Sequence, residues 1–383
     1  MVIAILTTDN RQAFRQYDSL TPWFGTAPEA LLQGFREMPG IKIHVISCAQ
    51  RPMRSPEKLA DNIWFHSLHV PRIGWLRTFY QGCVRAIRKK LREIQPDIVH
   101  GQGSEKEAAI SAAFSGFPNV ITIHGNMKAI AEFYRAPFGS YYWLAGKLET
   151  MALRRTDGVL CNSGYTESLV APRAKNVWRV PNALRSQFFS SRAEHPKNFR
   201  PILLNIGIFE PRKRQIEILG MARSLWKRGL RFEIHFVSHA YPGAVNKDEF
   251  FKQLAIAEAE GYARHLGLME IGPLVAAMDA ADALVHFPTE EAFGLVVAEA
   301  LARNLKLFAA SVGGIVDIAS GLEEAELFPV NDFAALENSI ARWINSGCVH
   351  PVKAAGVMRQ RYSPEVVARR HLEIYGEVLN RRL

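Results

Sequence analysis

Glu291-Ala-Phe-Gly-Leu-Val-Val-Ala-Glu299 is the stretch from which the rest of the chain can be read. Eight helical steps between its glutamates amount to about 12 Å of rise. Two carboxylates that far apart do not work on one atom; they suit opposite ends of a long polar ligand. Between them Phe293-Gly294-Leu295 reads as a helix start. A helix N-terminus presents backbone N–H groups and a positive dipole end, which suit a phosphate. Hydroxyl, diphosphate, hydroxyl is the polar layout of a nucleotide-sugar. The competing reading is a capped core helix with solvated glutamates.

Outward from this run, short apolar segments alternate with helical patterns. In the first half Val2–Leu6, Lys42–Ser47, Ile98–His100, Val120–His124, Gly158–Cys161 and Val177–Val180 read as strands. Helical stretches lie between them, including Trp75–Glu93, Glu105–Ser115 and Tyr142–Arg155. The polar segment 190–200, with Pro196 and no period, reads as a linker. Beyond it come strand Ile202–Ile206, helix Arg214–Arg228, strand Phe232–Val237, helix Asp248–Arg264, strand Leu284–Phe287, helix Phe293–Arg303 and strand Leu307–Ala310. The last helix, Ser363–Asn380, opens with a capping Ser and Pro364. Apolar strands separated by helices predict parallel sheets covered on both faces. The expected architecture is α/β, with two Rossmann-like doubly wound domains facing across a cleft. The domains are residues 1–189 and 201–362, with 363–383 crossing back to the first. Ligands in such sheets bind at the carboxyl ends of the strands.

With Phe-Gly-Leu after the first Glu, Glu-Ala at the second and Gly313-Gly314 downstream, the run resembles the signature of glycosyltransferase family 4. The resemblance implies the GT-B fold and transfer of a sugar, with retention, from a nucleotide-sugar donor to a glycan or lipid-linked acceptor in cell-surface polysaccharide or lipopolysaccharide synthesis. It places Glu291 near the donor sugar and Glu299 on the ribose hydroxyls. Lys213, in the loop after Gly207, falls on a family cation that neutralises the departing diphosphate. A fixed cation there suits the charge that develops. The family's Arg position holds Ile208, so Arg212 or Arg214 is the candidate replacement. His124, at a strand end before Gly125, resembles the family His that contacts the donor sugar. His100 and Asn162, at other strand ends, are expected to line the cleft on the acceptor side. Gly25 is the nearest counterpart of a glycine turn after the first strand. Together the assignments are His124, Lys213 and Glu291 as catalytic, and Gly25, Gly207, Arg212, Phe293, Gly294, Leu295 and Glu299 as donor-binding. The Gly313-Gly314 turn is expected to let backbone approach the ligand.

Composition agrees with a globular protein: 383 residues, 48% hydrophobic and 22% charged, exceed one ordinary core. No apolar run reaches the roughly eighteen residues of a bilayer span. Met1–Thr8 reads as a core strand rather than a signal peptide. Cys48, Cys83, Cys161 and Cys348 have no metal-ligand spacing and read as reduced thiols, which implies the cytoplasm. There is no Asp-x-Asp, so no metal and no cofactor is expected. The net charge of +10 is open to an anionic donor, anionic lipid or nucleic acid. No zinc-finger spacing or RNA-binding signature supports the last, and no nucleic acid is expected. The densest basic run, Arg85–Arg92, is interleaved with apolar residues that begin at Trp75. It reads either as a solvated helix face or as an interfacial helix giving peripheral contact with anionic membrane at its cytoplasmic face. A nucleotide-sugar epimerase or phosphorylase of the same fold, and a non-catalytic nucleotide-sugar binder, remain alternatives.

Overall fold

Short, nearly continuous apolar runs build two largely parallel sheets in the computed structural model, which describes residues 1–191, 200–241 and 243–381. The strands are Val2–Leu6 (β1), Lys42–Ala49 (β2), Lys58–Ala60 (β3), Ile63–His69 (β4), Ile98–Gln102 (β5), Asn119–Ile123 (β6), Gly158–Cys161 (β7) and Val177–Arg179 (β8). After them come Ile202–Ile206 (β9), Glu233–Val237 (β10), Ala263–His265 (β11), Ala283–His286 (β12), Lys306–Ala310 (β13) and Ala325–Phe328 (β14). Two compact units result: Met1–Arg185 with the segment from Tyr362 onward, and Ser186–Arg361.

In the first unit the strand order is β3-β4-β2-β1-β5-β6-β7-β8. Every pairing is parallel except that of edge strand β3 with β4. Side chains alternate across the sheet. Ala4 and Leu6 meet helix Gln81–Ile94 through Cys83, Ile87 and Leu91. Ile3 and Ile5 share the opposite core with Leu31 and Phe35 of helix Thr26–Arg36 and Ile374 and Tyr375 of helix Pro364–Asn380. Those two helices touch at Gly34, where any Cβ would lie 2.1 Å from the Pro364 carbonyl oxygen.

In the second unit the order is β11-β10-β9-β12-β13-β14, all parallel. The order reverses between β9 and β12, which makes that gap the topological switch point where such sheets bind ligands. Only Leu203 and Leu204 of β9 pair with Ala283 and Leu284 of β12. Further along, the Asn205 side chain bridges the two strands by donating to the Val285 carbonyl at 2.9 Å.

Several expectations need correction. The boundary between units falls before Ser186 rather than after residue 189. The reason is Arg303, whose guanidinium donates to the carbonyls of Phe188 and Ser190 while paired with Asp279, tying this segment to the second unit. Most of the expected linker, 192–199, lies outside the described residues. Helix Asp248–Arg264 ends at Ala259; Gly261, at φ +81°, closes it, and Arg264 sits in β11. Ser363 stands at the N-cap of the last helix without a side-chain capping bond. Residues 75–80 form a short 3-10 turn and its flanks, and the helix proper begins at Gln81.

Candidate active site

The loops leaving β9 and β12 bring together one cation, one carboxylate and one imidazole. After β9 the chain passes Gly207 into a tight turn, Pro211–Lys213. The Lys213 ammonium forms an ion pair with the Glu291 carboxylate. His286, the last residue of β12, places Nε2 3.3 Å from the same carboxylate oxygen. Burial alone would raise the Glu291 pKa. The Lys213 charge and the hydrogen bonds from His286 and Lys213 outweigh it, so the carboxyl is held well below its usual range. Burial in turn lowers His286, against the pull of Glu291. The cluster is therefore an ionised carboxylate paired with Lys213, with a buried imidazole beside them.

Glycines set the loop that carries Glu291. Gly313, at φ +52°, lies so close that a Cβ would sit 1.7 Å from the Glu291 carbonyl oxygen. The Gly314 amide donates to that same oxygen at 3.1 Å. A Cβ on Gly314 would meet the Phe293 backbone at 2.6 Å. This corrects one expectation: the turn makes room for the protein's own Glu291–Phe293 backbone. Gly294, at φ +98°, caps helix Leu295–Ala302, in which Glu299 is buried. Only the second half of the Glu291–Glu299 run is helical, so a helical rise across all eight steps does not describe it. Phe293 is buried against the unit's interior. The amides that open this helix have no partner within it.

The candidate replacements for the missing cation differ. Arg214, itself at φ +58°, donates to the Val330 carbonyl at 2.5 Å and lies 4.5 Å from the Phe333 ring, which ties it to the structure. Arg212 pairs with Glu210 at 2.7 Å, and its backbone carbonyl accepts from the Thr289 amide, beside the motif. Ile208 is partly exposed.

The site residues expected at strand ends of the first unit are neutral by comparison. His124 follows β6, and its Nε2 lies 2.8 Å from Gln102 Oε1 at the end of β5. Burial holds its pKa down at about 4, against the opposing effect of Asn182, which favours the protonated ring. Asn162 follows β7; its side-chain oxygen accepts from Thr166 at 2.7 Å and its amide nitrogen is buried without a partner. His100 departs from the expected cleft-lining role. It is fully buried, with Nδ1 2.5 Å from the Tyr375 hydroxyl and Nε2 2.7 Å from Thr122 Oγ1. Gly25 has ordinary extended backbone, and a Cβ there would meet only Pro28 Cδ at 3.6 Å. Its glycine is therefore not demanded by the fold.

Two features escaped the sequence reading. His286 terminates an apolar strand as His124 follows one, and that shared pattern was its signal. The buried Asp9–Arg11 pair after β1 gave none: Arg11 also donates to the carbonyls of Ser19 and Arg54 and so gathers the loop after β1. Among the described residues no group of three His, Cys, Asp or Glu is placed to hold a metal ion.

The whole chain has counterparts of known structure. A sucrose-phosphate synthase from Thermosynechococcus elongatus superposes with TM-score 0.73 at 16% identity, covering 99% of each chain. HepE from Anabaena in complex with UDP gives TM-score 0.72 at 17% identity over 98% of this chain and 100% of that one. A lipopolysaccharide outer core galactosyltransferase, WaaB, gives 0.68 at 14% identity over 98% and 100%. At such identities the likeness speaks for the fold, GT-B. No curated protein matches the sequence. Residues 29–187 match the family described as Glycosyltransferase Family 4, and residues 187–360 match Glycosyl transferases group 1. With both halves matched and the switch-point loops in place, the chain belongs to glycosyltransferase family 4 and is a glycosyltransferase of the GT-B fold.

Proposed function

We propose that the enzyme is a retaining, metal-independent transferase moving a sugar from a nucleotide-sugar to a glycan or lipid-linked acceptor in cell-surface glycan synthesis. The observation that carries this reading is the Lys213–Glu291–His286 cluster at the switch point, beside the helix start at Gly294. The pair with Glu291 uses one of the three ammonium donors of Lys213 and fixes its position, leaving the others for diphosphate oxygens. Glu299, buried within the first turns of the helix, is assigned to the ribose hydroxyls, and Glu291 to the donor sugar. Phe293, Gly294 and Leu295 supply the helix N-terminus to the diphosphate, and Gly207 and Arg212 line the approach. Gly25, His124 and Asn162 keep the donor-sugar and acceptor contacts that the resemblance implies.

In the reaction the bond from the anomeric carbon to the diphosphate oxygen breaks. A bond from that carbon to the acceptor oxygen forms on the same face. The acceptor's proton passes to the departing diphosphate. Lys213 and the helix N-terminus stabilise the charge that develops there. Lys213 supplies positive charge of the kind a metal ion would bring, which supports the metal-independent reading. No cofactor is invoked. Free thiols at all four cysteines favour a cytoplasmic enzyme.

HepE is described bound to UDP and to UDP-glucose, which makes uridine donors the first to try. Calorimetric titration with UDP, GDP, ADP and their sugar conjugates, wild type against Glu299→Ala, tests the donor site. One conjugate is expected to bind, about 10- to 100-fold more weakly to the folded variant. Equal affinity removes Glu299 from the site. Product anomers read by NMR, with and without a chelator, test retention and metal independence; an inverted or chelator-sensitive product refutes them. Ile208 at the cation position favours one second reading, a binder that never turns over. Donor binding without transfer to any acceptor would select it.

A further inference from the structure

The basic helix, for which an interfacial role was one of two readings, has no apolar face to spare. Cys83, Val84, Ile87 and Leu91 of Gln81–Ile94 are buried in the first unit's core, with Trp75 and Tyr80 ahead of them. What it presents outward is charge: Arg85, Arg88, Lys89 and Arg92 are exposed. From Val70 to Arg92 the chain has seven Lys or Arg and no Asp or Glu. Beside this helix the turns around Arg72–Thr78 leave Ile73 75% and Phe79 51% exposed.

Exposed apolar area lies instead where helix Met127–Phe133 turns into helix Tyr141–Arg155. Phe133 is 61% exposed and Phe138 86%, and Tyr134, Tyr141 and Tyr142 are open as well. Their rings support one another: Phe133 on Tyr134 at 5.1 Å, Tyr134 on Tyr142 at 5.4 Å, Phe138 on Trp143 at 4.5 Å. The two helices are pinned by Gly146, where a Cβ would come within 3.2 Å of Lys128 Cα. The Tyr141 hydroxyl donates to the Glu105 carbonyl at 2.8 Å, fixing this turn near the loop that follows β5. Leu144 and Leu148 of helix Tyr141–Arg155 pack in the same core cluster as Tyr80, Cys83, Val84 and Ile87, so the aromatic turn and the basic segment lie on one face of the first sheet. Exposed Lys128, Arg135 and Lys147 flank the rings.

We propose that the aromatic turn 133–143 and the adjoining basic segment 70–92 form one surface that docks on an anionic bilayer. Phe enters the acyl boundary, Tyr and Trp hold at the headgroup level, and the cations face lipid phosphates. The charge selects the occupant: a run of seven cations without an acid complements anionic headgroups, whereas a neutral glycan stacked on the same rings would not call for it. Docking there would bring a lipid-linked acceptor to the enzyme. The surface itself depends on no step of the proposed reaction.

Flotation of the full chain with vesicles tests the proposal, since it needs neither donor nor turnover. Wild type is expected to float with phosphatidylglycerol–phosphatidylethanolamine vesicles and to stay behind with phosphatidylcholine. The double variant Phe133→Ser/Phe138→Ser is expected to bind about tenfold more weakly or worse. The triple variant Arg85→Gln/Arg88→Gln/Lys89→Gln should lose a comparable factor, most visibly at low salt. All these side chains are exposed, so the melting temperature is expected to stay put. The proposal is overturned if wild type ignores anionic vesicles, or if the Phe variant floats as wild type does. It is also overturned if wild type is a dimer that the Phe variant dissociates, which would make the patch a protein interface. A raised KM for a soluble glycan acceptor with unchanged flotation would make it a sugar platform instead.

Discussion

In the second unit the polar residues at the strand ends are charged and held: Lys213 by Glu291, Glu291 by His286, and the loop between them by Gly313 and Gly314. In the first unit the site residues expected at the corresponding ends are neutral: burial disfavours the charged form of His100 and His124, and Asn162 carries an amide. Both sheets are parallel and both meet their ligands, by the rule for such folds, at carboxyl ends. The difference lies in what is asked of each. A departing diphosphate calls for fixed charge already in place. Strand ends stocked with neutral hydrogen-bonding groups suit a polyhydroxyl ligand, which needs donors and acceptors rather than charge.

Removing the charge at Lys213 is the strongest way to break this contrast. Lys213→Ala is expected to lower kcat/KM by about 10²- to 10³-fold in steady-state assays. Because Glu291 would then lose its cation, some stability should go too, and adding Glu291→Gln should restore part of it in a melting experiment but none of the turnover. A variant with wild-type kinetics would dissolve the distinction between the units.

Glycine substitutions come next. Gly313→Ala combines a left-handed φ with a clash against the Glu291 carbonyl and should cost about 1–3 kcal/mol in chemical denaturation, with weaker donor binding. Gly25→Ala, unstrained, should change stability by about 0.5 kcal/mol at most. If it abolishes donor binding all the same, the first unit contributes a close backbone approach to the ligand that the fold itself does not require.

The pH dependence separates the units more gently. His44, His124 and His371 of the first unit have pKa values lowered to about 4, chiefly by burial, and His66 and His100 are lowered as well. Among the described residues the second unit has one lowered imidazole, His286. Between the unfolded value near 6.5 and these folded values, the unfolded chain binds more protons. Stability is thus fully present above about pH 6.5 and declines toward pH 4, by up to about 1.4 kcal/mol per pH unit for each imidazole. The depressed carboxyl of Glu291 acts lower down: its contribution is present above the unfolded value near 4.3 and is lost as pH falls further. Hydrogen exchange during acidification should therefore show β5 and β6 opening before β9 and β12; the reverse order would refute this reading. A local test is Tyr375→Phe, which removes the hydroxyl next to His100 Nδ1. It should cost about 1 kcal/mol by denaturation and leave turnover unchanged.

Strands that are apolar or nearly so were legible from sequence: β1, β7 and β9 have the expected ends. β4 was not, because His66 and Ser67 interrupt it; their polarity is accommodated by β2, where His44 stacks on His66 with ring nitrogens 3.0 Å apart. β11 was hidden at the end of a helical pattern that only the backbone of Gly261 breaks. The loops bearing Lys213 and Glu291 were visible as motifs, yet their pairing was not, since it joins residues far apart in the chain. The purpose of Gly313 was equally invisible: what a missing Cβ avoids is a neighbour that only folding supplies. Helix 81–94 was left open between a solvated face and an interfacial one for a related reason. Its amphipathic pattern is real, and amphipathicity alone does not say whether core or membrane receives the apolar face.

The seat of the last helix on Gly34 has a bearing on synthesis. The second unit's segment is translated whole before the residues that close the first unit's core have been made. Leu31, Phe35 and His100 must therefore wait for Tyr375 and its neighbours, with an apolar face uncovered while the intervening unit folds. The unit that begins first on the ribosome is the one that finishes last, and it is there that a nascent chain of this enzyme would most need a chaperone's cover.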